Sequence, residues 1–216
     1  MTGALLERWP AGRRLTLAAA LITVALGAVA LTSSGGAELP VLPIVGIDRP
    51  FPPRLVAVVN QSVGPVPPRR APRLDAYVTI PDGRVFVFAA FGSNLRRCVL
   101  TYTALAGSLR PERPAASQVQ CMPSDSELPF QPLNIGPAEL AGPLVLYGSA
   151  PARADRLAIT TDAGRRLWFR LPEVPLHADP SRQVVLLNLA PLGPESVIRA
   201  DAVEGRHVLQ SNTFLP

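Results

Sequence analysis

Apolar residues are distributed along this chain in two different ways. Leu15–Leu31, LTLAAALITVALGAVAL, is seventeen residues without a charge, and Arg13 and Arg14 stand directly before it. From Arg54 onward the apolar residues come in short runs rich in Val, Ile, Leu, Phe and Thr. Gly, Pro and Asp divide these runs at intervals of about ten residues, the spacing of strands in a sandwich or barrel. The pattern predicts strands at Leu55–Asn60, Ala76–Ile80, Arg84–Phe91, Arg97–Ala104, Ser117–Cys121, Leu144–Tyr147, Arg156–Thr160, Arg166–Leu171, Gln183–Leu189 and Ser196–Ala202, with a last short one at His207–Gln210. The stretches 61–73 and 122–143 are proline-rich and read as loops. The expected fold class is all-β: an antiparallel β-sandwich over 54–216.

Three segments share one plan of apolar strand, acidic turn, Gly-Arg or Gly-Arg-Arg, strand: AYVTI-PDG-RVFVFAA, RLAIT-TDAG-RRLWFRL and IRADAVEGRHVL. Each is expected to be a hairpin, since Asp bonds its own turn and Gly supplies positive φ. Arg84–Phe91 is apolar at every position after its first residue, as a central strand covered on both sides should be. In Arg166–Leu171 the two-residue period of a strand separates two faces. Leu167, Phe169 and Leu171 face the core; Arg166, Trp168 and Arg170 face outward. The outward set is a candidate binding platform for sugar rings, lipid headgroups or an acidic polymer. The competing reading is that the arginine stems simply cover the indole.

The apolar run at 15–31 reaches about 26 Å as a helix, and Thr32–Ser34 can extend it toward a full bilayer crossing. Arginines precede it and no charge follows until Glu38. Positive-inside bias then leaves residues 1–14 as a cytoplasmic tail, 15–34 as a transmembrane segment and the remainder outside. A cleaved signal peptide, cut after Ala30 or Ala37, is the alternative. A lipoprotein is excluded because the first cysteine is Cys98. Residues 35–53, rich in Gly and Pro, read as a spacer.

Composition adds to this picture in three ways. All 21 basic residues are arginine, and 25 residues are proline; with abundant Ala, Gly, Leu and Val this is the signature of a GC-rich genome. The net charge of +5 is not concentrated. The groups Arg69–Arg70–Arg73, Arg96–Arg97 and Arg165–Arg166–Arg170 are short and separated, unlike the basic stripe of a nucleic-acid binder. Cys98 and Cys121 are the only cysteines. In an exported chain an isolated pair is expected to be a structural disulfide.

Much catalytic chemistry is excluded outright. Without lysine there is no P-loop lysine, Schiff-base lysine or Ser–Lys dyad, and no Gly-x-Ser-x-Gly elbow occurs. His177 and His207 are the only imidazoles. Each could serve a hydrolase only with a nucleophile brought against it by folding. Asp125 and Glu127 lie in a polar loop where burial would not tune them. No calcium loop or Cys/His cluster is visible, so no metal and no cofactor are expected.

The Arg13–Arg14 pair with Leu15–Leu31, the Cys98/Cys121 pair and the Asp-(x)-Gly-Arg hairpins together resemble uncharacterised actinobacterial envelope proteins with one N-terminal span and a β-sandwich outside. The resemblance implies a source and an envelope location, and brings no catalytic residues. The expectation is a non-enzymatic interaction or structural module tethered to the cytoplasmic membrane, with an envelope protein or wall polymer as partner. The alternatives are a domain binding wall glycan or anionic polymer through Arg166, Trp168 and Arg170, and a hydrolase using His177 or His207.

Overall fold

In a computed structural model the described residues are 38–64, 71–93, 96–111, 117–123, 133–137 and 143–215. The apolar run at 15–31 and the loop carboxylates Asp125 and Glu127 lie outside them. Among the described residues no helix is long and apolar enough to cross a membrane.

The fold is all-β, and the described residues form three antiparallel sheets. The first sheet orders β1 (Val45–Pro50), β2 (Arg73–Thr79), β3 (Arg84–Ser93), β4 (Arg96–Leu105) and β5 (Gln118–Pro123) side by side. The second orders β10 (Arg182–Asn188), β7 (Leu144–Pro151) and β6 (Asn134–Pro137). The third orders β12 (His207–Thr213), β11 (Val197–Glu204), β8 (Arg156–Thr161) and β9 (Arg166–Arg170). One α-helix, α1 (Pro53–Val63), is present among the described residues.

β3 lies at the centre of the first sheet and is buried on both faces, as its unbroken apolar sequence requires. Phe86, Phe88 and Ala90 join a core shared by all three sheets, with Leu146, Val184, Leu186, Leu157, Ile159 and Ala200. Val85, Val87, Ala89 and Phe91 enter a second core with Leu100, Tyr102 and, from α1, Leu55 and Val59. The sandwich therefore has one sheet backed by a helix.

The three hairpins form where turn chemistry placed them, and Gly83, Gly164 and Gly205 take φ of 79°, 75° and 57°. At the first turn the Asp82 carboxylate accepts the Arg84 backbone N–H at 3.0 Å. Cys98 and Cys121 stand directly opposite one another on β4 and β5 and are joined by a disulfide. Cys98 is fully buried in the helix-backed core.

Three expectations need correction. Leu55–Asn60 is helical, not a strand. Pro53 occupies the first turn, where its missing N–H costs nothing, and Leu55 and Val59, four apart, fall on one buried face. The stretch read as a spacer is part of the fold. Val41 bridges Arg170 in parallel, Leu42 and Ile44 are buried, β1 follows, and Phe51 packs edge-on to Phe91 at 5.6 Å. The boundary at Arg54 thus falls inside the domain. The stretch 122–143 contains β6, whose Gly136 opposes Val145, with the Tyr147 ring 3.2 Å from where a Cβ on that glycine would stand. Only a residue without a side chain fits there unless the ring moves.

Candidate functional site

Two polar clusters among the described residues bear on the candidate chemistry. The first is the outward face of the third sheet, which the register arranges in three rows. Arg166, Thr160 and Arg199 form one, Trp168, Ala158 and Asp201 the next, and Arg170, Arg156 and Val203 the third. The small Ala158 stands directly opposite Trp168 and is fully buried. The Arg166 guanidinium stands 4.7 Å and that of Arg156 5.7 Å from the ring centroid, both within cation–π range.

The sequence therefore supplied two of the three aromatic-stacked residues. Arg170 was expected to flank the ring, but Arg156, on the adjacent strand, occupies that place. Arg156 also pairs with Asp155 at 3.3 Å and donates to the Gly205 carbonyl. Asp201 is 2% exposed and accepts from Arg199 at 2.8 Å, with Arg166 at 3.5 Å. Arg170 differs from its neighbours. Its backbone N–H and C=O bond Pro40 and Leu42, while its guanidinium has no hydrogen-bond or ion-pair partner among the described residues. With Arg156, Leu39, Asp155 and Glu173 it lines an open groove of about 370 Å³. Replacing Trp168 by Ala uncovers Ala158 and removes both ring contacts. The expected loss is about 1 kcal/mol in urea unfolding.

The second cluster was not anticipated. Asp75 interrupts the apolar strand β2 and has a fully buried side chain. The ladder between β2 and β3 runs only from Ala76 to Thr79. Beyond it the Ala90 N–H donates instead to the Asp75 carboxylate at 2.6 Å. The other carboxylate oxygen accepts the His177 backbone N–H at 2.8 Å and faces His177 Nδ1 at 2.7 Å. His177 Nε2 lies 3.0 Å from Asp48, on β1, which Arg73 also pairs. His177 is thus no ordinary surface residue: it clamps the loop after β9 onto the first sheet. His207 opens β12, is exposed, and has no ring partner among the described residues.

An aspartate on histidine Nδ1 is the orienting half of a hydrolytic triad. Here the other nitrogen meets a carboxylate, and no Ser, Thr or Cys among the described residues is bonded to it. The two ring contacts are both hydrogen bonds when the imidazole carries two hydrogens or when one carboxyl holds the proton. Burial raises the Asp75 pKa, against the N–H donors from His177 and Ala90 that lower it. The Arg73 hydrogen bond, ahead of the other influences, lowers that of Asp48.

These shifts act in opposite directions on stability. Asp75, raised, contributes most below its unfolded value near 3.8 and loses that contribution as pH rises through its folded value. Asp48, lowered, contributes above 3.8 and loses it as pH falls through its folded value. Asp75→Asn deletes the first contribution only. The stability gap between the parent chain and this variant should therefore widen between pH 7 and pH 4 in urea unfolding; a gap that narrows contradicts the assignment.

Among the described residues no group of three or more His, Cys, Asp or Glu is placed to hold a metal ion. Comparison with known proteins finds no matching family, no similar curated protein and no similar solved structure.

Proposed function

We propose that this protein is a non-enzymatic interaction module, held outside the cytoplasmic membrane by the apolar segment 15–31, with its N-terminus cytoplasmic. The observation that carries this reading is the outward face of the third sheet. There two guanidiniums stand 4.7 and 5.7 Å from the Trp168 ring centroid, and Arg170 keeps a guanidinium without a partner among the described residues beside an open groove. Rigid aromatic and arginine side chains on a sheet are the residue types that dominate contact surfaces. The disulfide agrees with an oxidising compartment outside the cytoplasm.

A second reading, capture of wall glycan or anionic polymer, uses the same face and is favoured by the same tryptophan. The hydrolase reading is the weakest of the three: both His177 ring nitrogens are engaged by carboxylates, and His207 has no ring partner among the described residues.

Fractionation of cells expressing the full chain tests the tether. Membranes washed in alkaline carbonate should retain a full-length protein; release of a shortened one into the medium would instead establish a cleaved signal peptide. Sedimentation with wall fragments separates the two contact readings. Binding that Trp168→Ala abolishes would favour the polymer reading over a protein partner.

A further inference from the structure

We propose that the Arg156, Arg166, Trp168 and Arg170 face rests against the phospholipid headgroups of the bilayer in which the chain is itself anchored. The proposal rests on the tether reading above and names the surface that the face meets. Its first support is the length of chain available. Pro40 and Leu42 are bonded to Arg170, at the end of β9, by Leu42 N–H to Arg170 O at 3.0 Å and Arg170 N–H to Pro40 O at 2.9 Å. The chain is therefore fixed to the domain from Pro40, not from Arg54. Six residues after Ser34 reach about 20 Å at most when fully extended. From Arg170 back to Arg166 is about 13 Å of strand. On the tether reading, that length of chain allows the whole face to reach the headgroup layer.

The second support is chemical complementarity. Arginine binds phosphate through paired N–H donors, and tryptophan prefers the boundary between water and acyl chains. Three of the guanidiniums lie on β8 and β9, on the same side as the indole. Asp155 already pairs with Arg156, and buried Asp201 with Arg166 and Arg199. Glu38, Asp155 and Glu173 are exposed carboxylates, and the last two line the groove with Arg170. Arg170, unpaired among the described residues, is the group free to take a phosphate. Val41, beside it on the bridge and 50% exposed, adds an apolar contact at the same end.

The test uses the full chain in nanodiscs, with Trp9→Phe so that Trp168 is the only tryptophan. Discs are made of phosphatidylcholine or of a mixture with phosphatidylglycerol, each with and without lipids brominated near the headgroup. Trp168 emission should be quenched by the brominated lipid, more strongly with phosphatidylglycerol and less at high salt. Arg170→Gln should weaken the contact about fivefold, the effect of one basic residue at an anionic surface. Its side chain bonds no described residue, so folding is expected to persist and is checked by circular dichroism. Unquenched Trp168 in a chain that stays in the disc would overturn the lipid contact and leave the tether standing. A chain that does not enter the disc would remove the tether reading, and this proposal with it. Trp168 emission altered by a soluble polyphosphate but not by brominated lipid would overturn the proposal in favour of a polymer ligand.

Discussion

Asp75→Ala is expected to lower the unfolding free energy by about 3 kcal/mol. The carboxyl group is buried, accepts two backbone donors, the Ala90 N–H and the His177 N–H, and meets His177 Nδ1 at 2.7 Å. Alanine leaves the Ala90 amide without an acceptor in the interior and frees the loop that His177 holds. An unsatisfied buried donor alone costs about 1–3 kcal/mol. Removal of the buried charge offsets part of this, which keeps the expected value below the upper end for a broken buried pair. His177→Ala should cost less, because its backbone N–H still reaches Asp75. Urea unfolding of both variants checks the order. Equal losses would mean that the imidazole, not the carboxylate's amide partners, holds the loop.

Replacing both Cys98 and Cys121 by Ala is expected to cost about 3 kcal/mol. The bridge spans 23 positions and joins a pair already in register, so it restricts the unfolded chain more than it shapes the sheet. β5 is an edge strand of the first sheet, paired among the described residues to β4 alone. Loss of the bridge should therefore open β5 before the rest of the sheet. Hydrogen exchange at 118–123 should quicken further than at β3, whose residues Val85–Phe91 are buried on both faces. Uniform loss of protection would contradict this order.

Features read correctly from the sequence are those whose cause is local. Asp82-Gly83, Ala163-Gly164 and Glu204-Gly205 specify their turns with neighbouring atoms, and the two-sided burial of β3 is written in consecutive apolar residues. The cysteine pair needed only its count and the expectation that the chain is exported. Errors arose where one signal hid another. Three valines in Leu55–Asn60 suggested a strand, while Pro53 and the four-residue spacing of Leu55 and Val59 specified a helix. Prolines at 40, 43 and 50 suggested a spacer, yet the alternating Leu42 and Ile44 were core residues.

The candidate sites divide along the same line. Arg166 and Trp168 were legible because they lie two apart on one strand. Arg156 was not, since only strand pairing brings it to the ring. Asp75 and His177 are 102 positions apart, and no spacing rule links them. One signal was present: a lone aspartate inside the apolar strand LDAYV is a buried charge that must find partners.

The central claim is that the β-domain stands outside a membrane that its own N-terminal segment crosses. Protease added to intact protoplasts expressing the chain with a C-terminal epitope tests it most directly. The account predicts that the epitope is lost while a cytoplasmic marker survives. An epitope protected until the membrane is opened by detergent would contradict it.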